Sequence, residues 1–427
     1  MNHRFQQRRF SRPPTVPDAD VGREVEVEVT AYAHGGHCVA RHDGRVIFVR
    51  HALPGERVRA VVTEGGPKFW RAEAVEVLGD PSPDRVPSAW PEAGPGGVGG
   101  GELAHVSVAG QRRWKAAVIR EQLQRLAKLD WDVQVESATH AGQGSDGLAY
   151  RTRIDLIADD EGRVGMRKHR SHEVIALNSM PLATTEVAAL AEAEGVFTRR
   201  WHPGQRLELI APASGSEPVL LVDGIPNRDD RDSVVELVET TKDTFTYRVA
   251  ADGFWQNHRE APRLLIEAVL DAVGPIADAT VLDLYSGAGL FTLPLAAAVG
   301  LQGRVIAIEG DACAVRDARR NAQHLPQAEI REGAVAQTLA ALPPTATGVE
   351  VIVLDPPRAG AGRMVIDRIA ARSPARIVYV ACDPAALARD IGYLTTHGYT
   401  LANLRTFDLF PMTHHVECVA LLTPSGG

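Results

Sequence analysis

The chain has 427 residues, 44% of them hydrophobic, and a net charge of −8, which describes a globular protein of about two or three domains. Four scattered cysteines without a CxxC pair exclude a disulfide scaffold and suit a reducing cytoplasm. No apolar run reaches the roughly 18 residues of a membrane-spanning helix. The mild acidity counts against a protein coated in positive charge, but a local basic face for a polyanion stays open.

Residues 1–20 are predicted to be a basic, disordered tail. They lack the apolar segment of a secretory signal, and prolines accompany their arginines. The alternative interpretation is a basic arm that touches phosphates. The arginines concerned are Arg4, Arg8, Arg9 and Arg12.

Residues 21–80 alternate between apolar and polar side chains in short runs, as strands do. Turn residues such as Gly35-Gly36 and Pro54-Gly55 separate the runs. About five short strands with such turns predict a small β-barrel of the OB type. On this pattern alone, an RNA-binding module and a structural cap are equal alternatives.

Residues 81–250 are predicted to form a central α+β domain. A stretch rich in proline and glycine over 80–105 precedes a helix from Gln111 to Lys128. Two basic clusters, Tyr150–Arg153 and Arg167–His172, are candidates for contact with single-stranded RNA. Charged strand edges are the simpler explanation and the preferred one without further observations.

Residues 251–427 change to alternating helices and strands, which predicts a doubly wound, Rossmann-like α/β domain. A helix over 262–273 is expected to precede it. The expected strands are 280–284, 304–309, 350–354, 376–381 and 416–423, and the expected helices are 291–299, 312–323, 362–371 and 385–396.

The segment from Val281 to Thr292 reads as a strand, a glycine turn with Gly287 and Gly289, and the start of a helix. Glu309 ends the next strand, at the distance expected of a carboxylate that holds ribose hydroxyls. The third glycine of the dinucleotide fingerprint is absent. Asp283 beside the turn would repel a pyrophosphate but attract an ammonium and a sulfonium. The pattern therefore favours S-adenosylmethionine.

Two further strands are followed by residues suited to chemistry. Asp355-Pro356-Pro-Arg358 ends one strand with a carboxylate and a stiff loop that suits a planar base. The strand Ile377–Ala381 delivers Cys382 to its carboxyl end, where open α/β sheets place their ligands. A cysteine in a strand is most often a small buried hydrophobe, but these surroundings favour covalent catalysis.

The combination resembles the RNA uracil-5-methyltransferase family, which makes 5-methyluridine in tRNA and ribosomal RNA. The resemblance covers nearly the whole chain, and the early strands look like the TRAM barrel that many members carry. The segments that carry it are Asp283–Gly289, Asp355–Arg358, Ala381–Pro384, Phe410–Glu417 and Phe254-Trp-Gln256.

The resemblance implies that Cys382 is the nucleophile and Glu417 the base. It also implies that Asp355, with Pro356 and Arg358, contacts the uracil. The implied cofactor-binding residues are Gln256, Asp283, Tyr285, Gly287, Gly289, Glu309 and Asp355. The implied partner is RNA. Ribosomal RNA is preferred to tRNA because the tRNA-directed bacterial branch often lacks the barrel, and the protein is expected to be a monomer.

Many members of the family bind an iron–sulfur cluster through a Cys-x5-Cys-x2-Cys run and one later cysteine. The corresponding positions here are Trp90, Gly96, Gly99 and Met180, so no thiolate is available and no cluster is predicted. His414 and His415 have no third ligand at a ligand-like spacing, so a pocket wall is preferred to a metal site.

Three alternatives remain beside an enzyme that methylates ribosomal RNA. The first is a tRNA uridine-5-methyltransferase. The second is an RNA cytosine-5-methyltransferase, which generally has a cysteine near the Asp-Pro-Pro motif where this chain has Arg358. The third is a non-catalytic RNA-binding factor, against which Cys382 and Glu417 count.

Overall fold

The computed structural model describes residues 20–138, 146–213, 216–228, 231–343 and 348–426. The predicted tail, apart from Asp20, lies outside these residues. The chain divides into two compact units, with the boundary after Arg85. Among the described residues, no helix combines the length and the apolar character needed to span a membrane.

The first unit is a closed five-stranded barrel, which confirms the sequence prediction. Along its first strand Val25, Val27 and Val29 are buried while the glutamates between them are exposed, because successive side chains of a strand alternate in direction. The strands are β1 (Glu24–Ala33), β2 (His37–His42), β3 (Arg45–Arg50), β4 (Arg57–Glu64) and β5 (Phe69–Val77), in the order β1-β2-β3-β5-β4.

A buried ion pair joins the turn before β4 to the end of this unit. Glu56 is fully buried and accepts hydrogen bonds from Arg85 Nε at 2.6 Å and Arg85 Nη2 at 2.7 Å. The backbone amides of Leu53 and Ser82 donate to the same carboxylate. A buried charge is tolerated only when it is paired and hydrogen-bonded, which explains the charged residue in this turn.

The second unit begins with a 3₁₀ turn (Pro91–Ala93), helix α1 (Val108–Gln122), a π-helical turn (Leu123–Ala127) and strand β6 (Val135–Ser137). Ser107 caps α1 by accepting a hydrogen bond from the amide of Gly110. Lys128 ends the π-helical turn in a left-handed conformation, with φ 60°. The predicted single helix is therefore an α-helix that continues as a π-turn.

A six-stranded antiparallel sheet and a hairpin follow. The sheet has the order β12-β11-β10-β7-β8-β9, and the hairpin consists of β13 and β14. The bounds are β7 (Arg153–Ala158), β8 (Val164–Arg167), β9 (Val174–Ala176), α2 (Thr185–Ala193), β10 (Arg206–Ile210), β11 (Val219–Val222), β12 (Ile225–Pro226), β13 (Ser233–Glu239) and β14 (Thr244–Ala250).

The rest of the unit is the predicted doubly wound α/β fold. Its sheet has the order β17-β16-β15-β18-β19-β21-β20-β6. The bounds are α3 (Ala261–Val273), β15 (Thr280–Leu284), α4 (Thr292–Val299), β16 (Arg304–Glu309), α5 (Ala312–Asn321), β17 (Ala328–Glu332), α6 (Val335–Ala341), β18 (Val351–Leu354), α7 (Gly362–Ala370), β19 (Arg376–Ala381), α8 (Pro384–Thr396), β20 (Tyr399–Asp408) and β21 (Glu417–Pro424).

The order of the strands locates the ligand crevice. From β15 the chain runs outward through β16 and β17, and it then returns to the other side of β15 for β18 and β19. Apolar cores cover both faces of these strands. In such sheets, ligands bind outside the carboxyl ends of the strands where the order reverses.

One strand of this sheet comes from far earlier in the chain. β6 pairs with β20, so a segment of the predicted central region, 81–250, joins the sheet of the predicted methyltransferase region, 251–427. Both regions belong to the second compact unit. Their division at residue 250 stays a prediction.

Candidate active site

The register of the sheet brings the predicted catalytic residues together. Leu354 of β18 lies between Leu284 of β15 and Tyr379 of β19 in the parallel ladder. Tyr285 and Asp355 directly follow the first two of these strands. Both residues therefore stand at the same edge of the sheet.

The antiparallel pairing of β19 with β21 places Cys382 and Glu417 at that edge. Ala381 pairs with Cys418. Continuing this register by one residue sets Cys382 opposite Glu417. Cys418 is fully buried in the apolar core, as expected of a residue whose side chain points to the other face.

The Cys382 thiol is half-buried in an acidic environment. Burial raises the pKa of Cys382 to about 12, and the negative charges of Glu417 and Asp355 contribute in the same direction. The guanidinium of Arg358 opposes them. The thiol is therefore protonated at neutral pH in the protein alone.

The two carboxyl groups beside the thiol ionise less readily than free carboxyl groups. Glu417 is only 4% exposed, and its pKa is well above the ordinary value because of burial and the charge of Asp355. Burial, together with the charge of Asp283, raises the pKa of Asp355 to about 7. Since like charges in one buried site repel, each carboxylate disfavours the ionisation of the other.

Asp283, on β15, has an unfilled acceptor position. Its Oδ2 accepts a hydrogen bond from Thr292 Oγ1 at 2.5 Å, while its Oδ1 has no partner within the described part of the chain. Burial raises the pKa of Asp283 to about 7, against the hydrogen bond from Thr292 and with a smaller contribution from the charge of Glu309. A buried carboxylate with a free oxygen fits a cationic ligand, and Thr292, which replaces the third glycine, orients it.

Glu309 holds the glycine turn in place. Its Oε2 accepts a hydrogen bond from the amide of Gly287 at 2.9 Å. Its Oε1 accepts from the amides of Gly310 and Asp311. Gly287 has a φ of 54°, and a Cβ at this position would meet no atom within 4 Å, so the turn leaves open space above it.

Gln256 is placed by the six-stranded sheet rather than by the glycine turn. It is buried in the segment between β14 and α3. Thr152 donates its amide to the carbonyl of Asn257 at 2.8 Å. Arg153 Nη1 donates to the carbonyls of Ala251 at 3.2 Å and Gly253 at 2.8 Å, which braces the segment before Gln256.

The contacts of Arg153 bear on the first basic cluster, Tyr150–Arg153, which was a candidate RNA surface. Arg153 is buried, and so is Tyr150, whose hydroxyl donates to the carbonyl of Pro411. Neither side chain is available to a ligand at the surface. The second cluster differs, because Arg167 and Arg170 are exposed.

The histidines before Glu417 contact charged partners that sequence reasoning missed. Arg358 Nη2 lies 3.3 Å from His415 Nε2, and burial lowers the pKa of His415 to about 3, so the neutral ring can accept from the guanidinium. His414 pairs through its ring and its backbone amide with the buried Glu102. No spacing rule links Glu102 to a residue more than 300 positions away.

Helix α1 anchors the loop that leads to Glu417. The fully buried Lys115 Nζ donates to Asp408 Oδ1 at 2.5 Å and to the carbonyl of Phe410 at 3.0 Å. The side chain of Gln111 accepts from the amide of Met412 at 2.7 Å. The position of Glu417 therefore depends on a helix from the predicted central region.

Trp90 and Met180, two of the positions that the sequence comparison aligned with cluster cysteines, are apolar in this chain. Trp90 and Met180 belong to one buried core with Val98, and the Trp90 ring packs directly on Gly101. These residues do not fit a cluster, whose ligands are thiolates. Within the described ranges, no group of three or more His, Cys, Asp and Glu side chains could hold a metal ion. The absence of a cluster stays a prediction.

Two family models match the chain. The model of the tRNA (uracil-5-)-methyltransferase family matches residues 228–425, and that of the TRAM domain matches residues 18–75. The second match coincides with the barrel. The first covers the doubly wound fold together with the hairpin that precedes it.

Curated relatives match over nearly their full lengths. An RNA methyltransferase of Bifidobacterium longum is 44% identical over 423 residues, which cover 94% of this chain and 97% of the relative. An RNA methyltransferase of Streptomyces coelicolor is also 44% identical, over 98% of this chain and 97% of its own. The 23S rRNA (uracil(1939)-C(5))-methyltransferase RlmD of Alkalilimnicola ehrlichii is 31% identical, over 93% and 96%.

A solved structure shares the fold. The tRNA (uracil-54, C5)-methyltransferase of Pyrococcus abyssi, in complex with S-adenosyl-L-homocysteine, superposes with a TM-score of 0.65 at 22% identity, over 93% of this chain and 100% of that one. With the full-length relatives, this agrees with what the strand-end residues and the barrel indicate. The chain belongs to the tRNA (uracil-5-)-methyltransferase family and is an S-adenosylmethionine-dependent RNA methyltransferase with an N-terminal TRAM barrel.

Proposed function

We propose that this enzyme methylates carbon 5 of a uridine in RNA through a covalent bond between Cys382 and carbon 6 of the base. The observation that carries the proposal is the β19–β21 register, which sets Cys382 opposite Glu417. Asp355 stands at the same sheet edge. A nucleophile, a base and a group that contacts the uracil are therefore supplied by neighbouring strand ends.

The chemistry accounts for these residue types. Carbon 5 of uracil is a poor nucleophile, and addition of a thiolate to carbon 6 makes it an enolate-like centre. S-adenosylmethionine supplies an electrophilic methyl group. After carbon 5 has been methylated, Glu417 removes its remaining proton and the bond from Cys382 to carbon 6 breaks. Inside a folded RNA the base is stacked, so it must first be extruded.

The resting site protects the thiol until the substrate arrives. Burial and the nearby negative charges raise the pKa of Cys382 and hold the thiol protonated, and Arg358 is the cation that opposes them. Because Arg358 is exposed and contacts the neutral His415, it can reach the incoming RNA while staying near the thiol. Thiolate formation is then coupled to the arrival of the base and the cationic methyl donor.

We favour ribosomal RNA over tRNA as the substrate. Support comes from the 23S rRNA-directed relative, which aligns along 93% of this chain, and from the TRAM barrel. A tRNA substrate is the second candidate, supported by the shared fold with the Pyrococcus abyssi enzyme. A monomer in the cytoplasm stays the prediction.

Nucleoside analysis of a deletion strain tests both the reaction and the substrate. Loss of 5-methyluridine at one position of the large ribosomal RNA, with tRNA unchanged, is the expected result. Restoration by the wild-type gene is the control. Loss of 5-methyluridine from tRNA instead would identify tRNA as the substrate. Unchanged 5-methyluridine in both RNAs, together with loss of 5-methylcytidine, would contradict the proposal.

The affinity for S-adenosylmethionine is expected to rise with pH up to about pH 7. Burial gives Asp283 a pKa of about 7, and a bound cation favours its ionised form. Below that pH binding must release a proton, so affinity should improve by up to about tenfold per pH unit and then level off. Calorimetric titration from pH 5.5 to 8.5 measures this. Asp283→Asn should bind weakly with no such rise, and a flat profile for the wild type would contradict the role of Asp283.

A further inference from the structure

The loop between β18 and α7 carries Asp355 and Arg358, and a single buried carboxylate ties it to α8. Asp390 is fully buried. Its Oδ2 accepts hydrogen bonds from the backbone amides of Ala361 at 2.8 Å and Gly362 at 3.1 Å. Both donors lie within four residues of Arg358. The far end of the loop is therefore held by a side chain of another element.

The same carboxylate is held by two neighbours. Tyr379 OH donates to Asp390 Oδ2 at 2.8 Å and accepts from the amide of Ala361 at 3.0 Å. Arg389 donates from Nε and Nη2 to Asp390 Oδ1, at 2.9 and 2.8 Å. Arg389 Nη2 also donates to the carbonyl of Ala359. The loop is thus held at Ala359, Ala361 and Gly362, on both sides of Gly360.

Tyr379 and Asp390 lie on either side of the nucleophile, Cys382, in the sequence. Tyr379 lies on β19, three residues before Cys382, and Asp390 lies on α8, eight residues after it. Their direct hydrogen bond closes the strand–turn–helix segment that presents the thiol. One carboxylate therefore joins the Cys382 turn and the Asp355–Arg358 loop.

We propose that Asp390 is a positioning residue, which sets Asp355 and Arg358 relative to Cys382 for the addition to the base. This rests on the proposed covalent function. Every group that Asp390 contacts in these bonds is a donor, so the site requires a side chain that only accepts. An asparagine would turn an N–H₂ group toward either the backbone amides or the guanidinium, and a buried donor would lose its partner.

RNA that carries 5-fluorouridine provides the measurement, because fluorine cannot leave carbon 5 as a proton does and the adduct persists on denaturation. For Asp390→Asn we expect the rate of adduct formation at saturating S-adenosylmethionine and RNA to fall on the order of 100-fold, as for a misplaced reacting group. The final amount of adduct and the Kd for S-adenosylmethionine should stay within about threefold of wild type. A variant that is only less stable would instead form less adduct in total, because fewer molecules are folded, while the rate of adduct formation stayed at the wild-type value.

Asp367→Asn is the matched control for charge. Asp367 lies on α7 and pairs with His397 in an exposed contact at 2.7 Å. Asp367→Asn makes the same substitution on the neighbouring helix, at a side chain that does not hold the Asp355–Arg358 loop. Wild-type rate and amplitude are expected.

A second pair of variants disturbs the contact from the loop side. A Cβ at Gly360 would lie 2.6 Å from Arg389 Nη2 and 2.7 Å from Asp390 Oδ2, whereas a Cβ at Gly362 would meet no atom within 4 Å. Both glycines have left-handed φ values, 77° and 74°, so alanine brings similar strain to each. Gly360→Ala should slow adduct formation like Asp390→Asn, and Gly362→Ala should lose much less.

The outcomes separate this inference from the reaction itself. If the wild type traps no 5-fluorouridine RNA, the covalent function and the positioning role both fall. If the wild type forms the adduct and Asp390→Asn matches its rate and amplitude, only the positioning role is overturned. Should Asp390→Asn fail to fold, the comparison of Gly360→Ala with Gly362→Ala decides in the same way.

Discussion

Cys382→Ser is expected to abolish methyl transfer to RNA, with a loss on the order of 10⁴-fold or more, the scale seen when a covalent nucleophile is removed. A serine hydroxyl at this position would be far less acidic than the thiol and a much poorer nucleophile toward carbon 6. Binding of S-adenosylmethionine should persist, because Asp283 and Glu309 are untouched. Single-turnover methylation with a labelled methyl donor measures the loss.

Cys313→Ser is the matched control for this substitution. Cys313 is a free, exposed cysteine in the first turn of α5 and is not among the predicted site residues. The Cys313→Ser enzyme should methylate RNA at the wild-type rate. Turnover by Cys382→Ser within about tenfold of wild type would rule out the covalent route and leave direct methylation to be explained.

Glu417→Gln is expected to have two opposite effects. Turnover should fall by about 10²–10⁴-fold, the usual contribution of a general base, and the covalent adduct should accumulate on ordinary uridine RNA. Alkylation of Cys382 at pH 8 should become faster, because the ionised form of Glu417 adds to burial in raising the pKa of this thiol. Rapid-quench kinetics and peptide mass spectrometry measure the two effects.

Glu350→Gln controls for the removal of a glutamate from this sheet. Glu350 precedes β18 at the opposite edge and pairs with Arg376 at 2.8 Å. Neither turnover nor alkylation should change. If Glu417→Gln slowed the alkylation of Cys382, the electrostatic description of the thiol would be wrong, and unchanged turnover would remove Glu417 as the base.

The strands that carry the site could be predicted from sequence because they are buried on both faces. β15, β16 and β19 have the predicted bounds, and each is a mostly apolar run that ends in a functional residue or a turn. The edge strand β17, the strand β20 and the helix α6 were missed. β17 alternates charged with apolar residues over only five positions, and α6 has only seven, so neither has a distinct period.

Some contacts could not be predicted because the partners are distant in the chain. Arg153 was assigned to a candidate RNA surface or, preferably, to a charged strand edge, yet it is buried and braces the backbone about 100 residues later. Lys115 lies on the helix predicted from Gln111 to Lys128, and its ammonium donates a hydrogen bond to Asp408 in the core. Local sequence contains no signal for contacts of this separation.

Sequence by itself determined the family, the doubly wound sheet, the barrel, and the candidate nucleophile and base, because period, turn residues and motif order are local properties of the chain. Only the tertiary structure decided that Cys382 faces Glu417, that Thr292 orients Asp283, and that Asp390 ties the Asp355–Arg358 loop to the turn of the nucleophile. These depend on strand register and side-chain packing. Register and packing are set by the burial of the whole core, to which residues hundreds of positions apart contribute together.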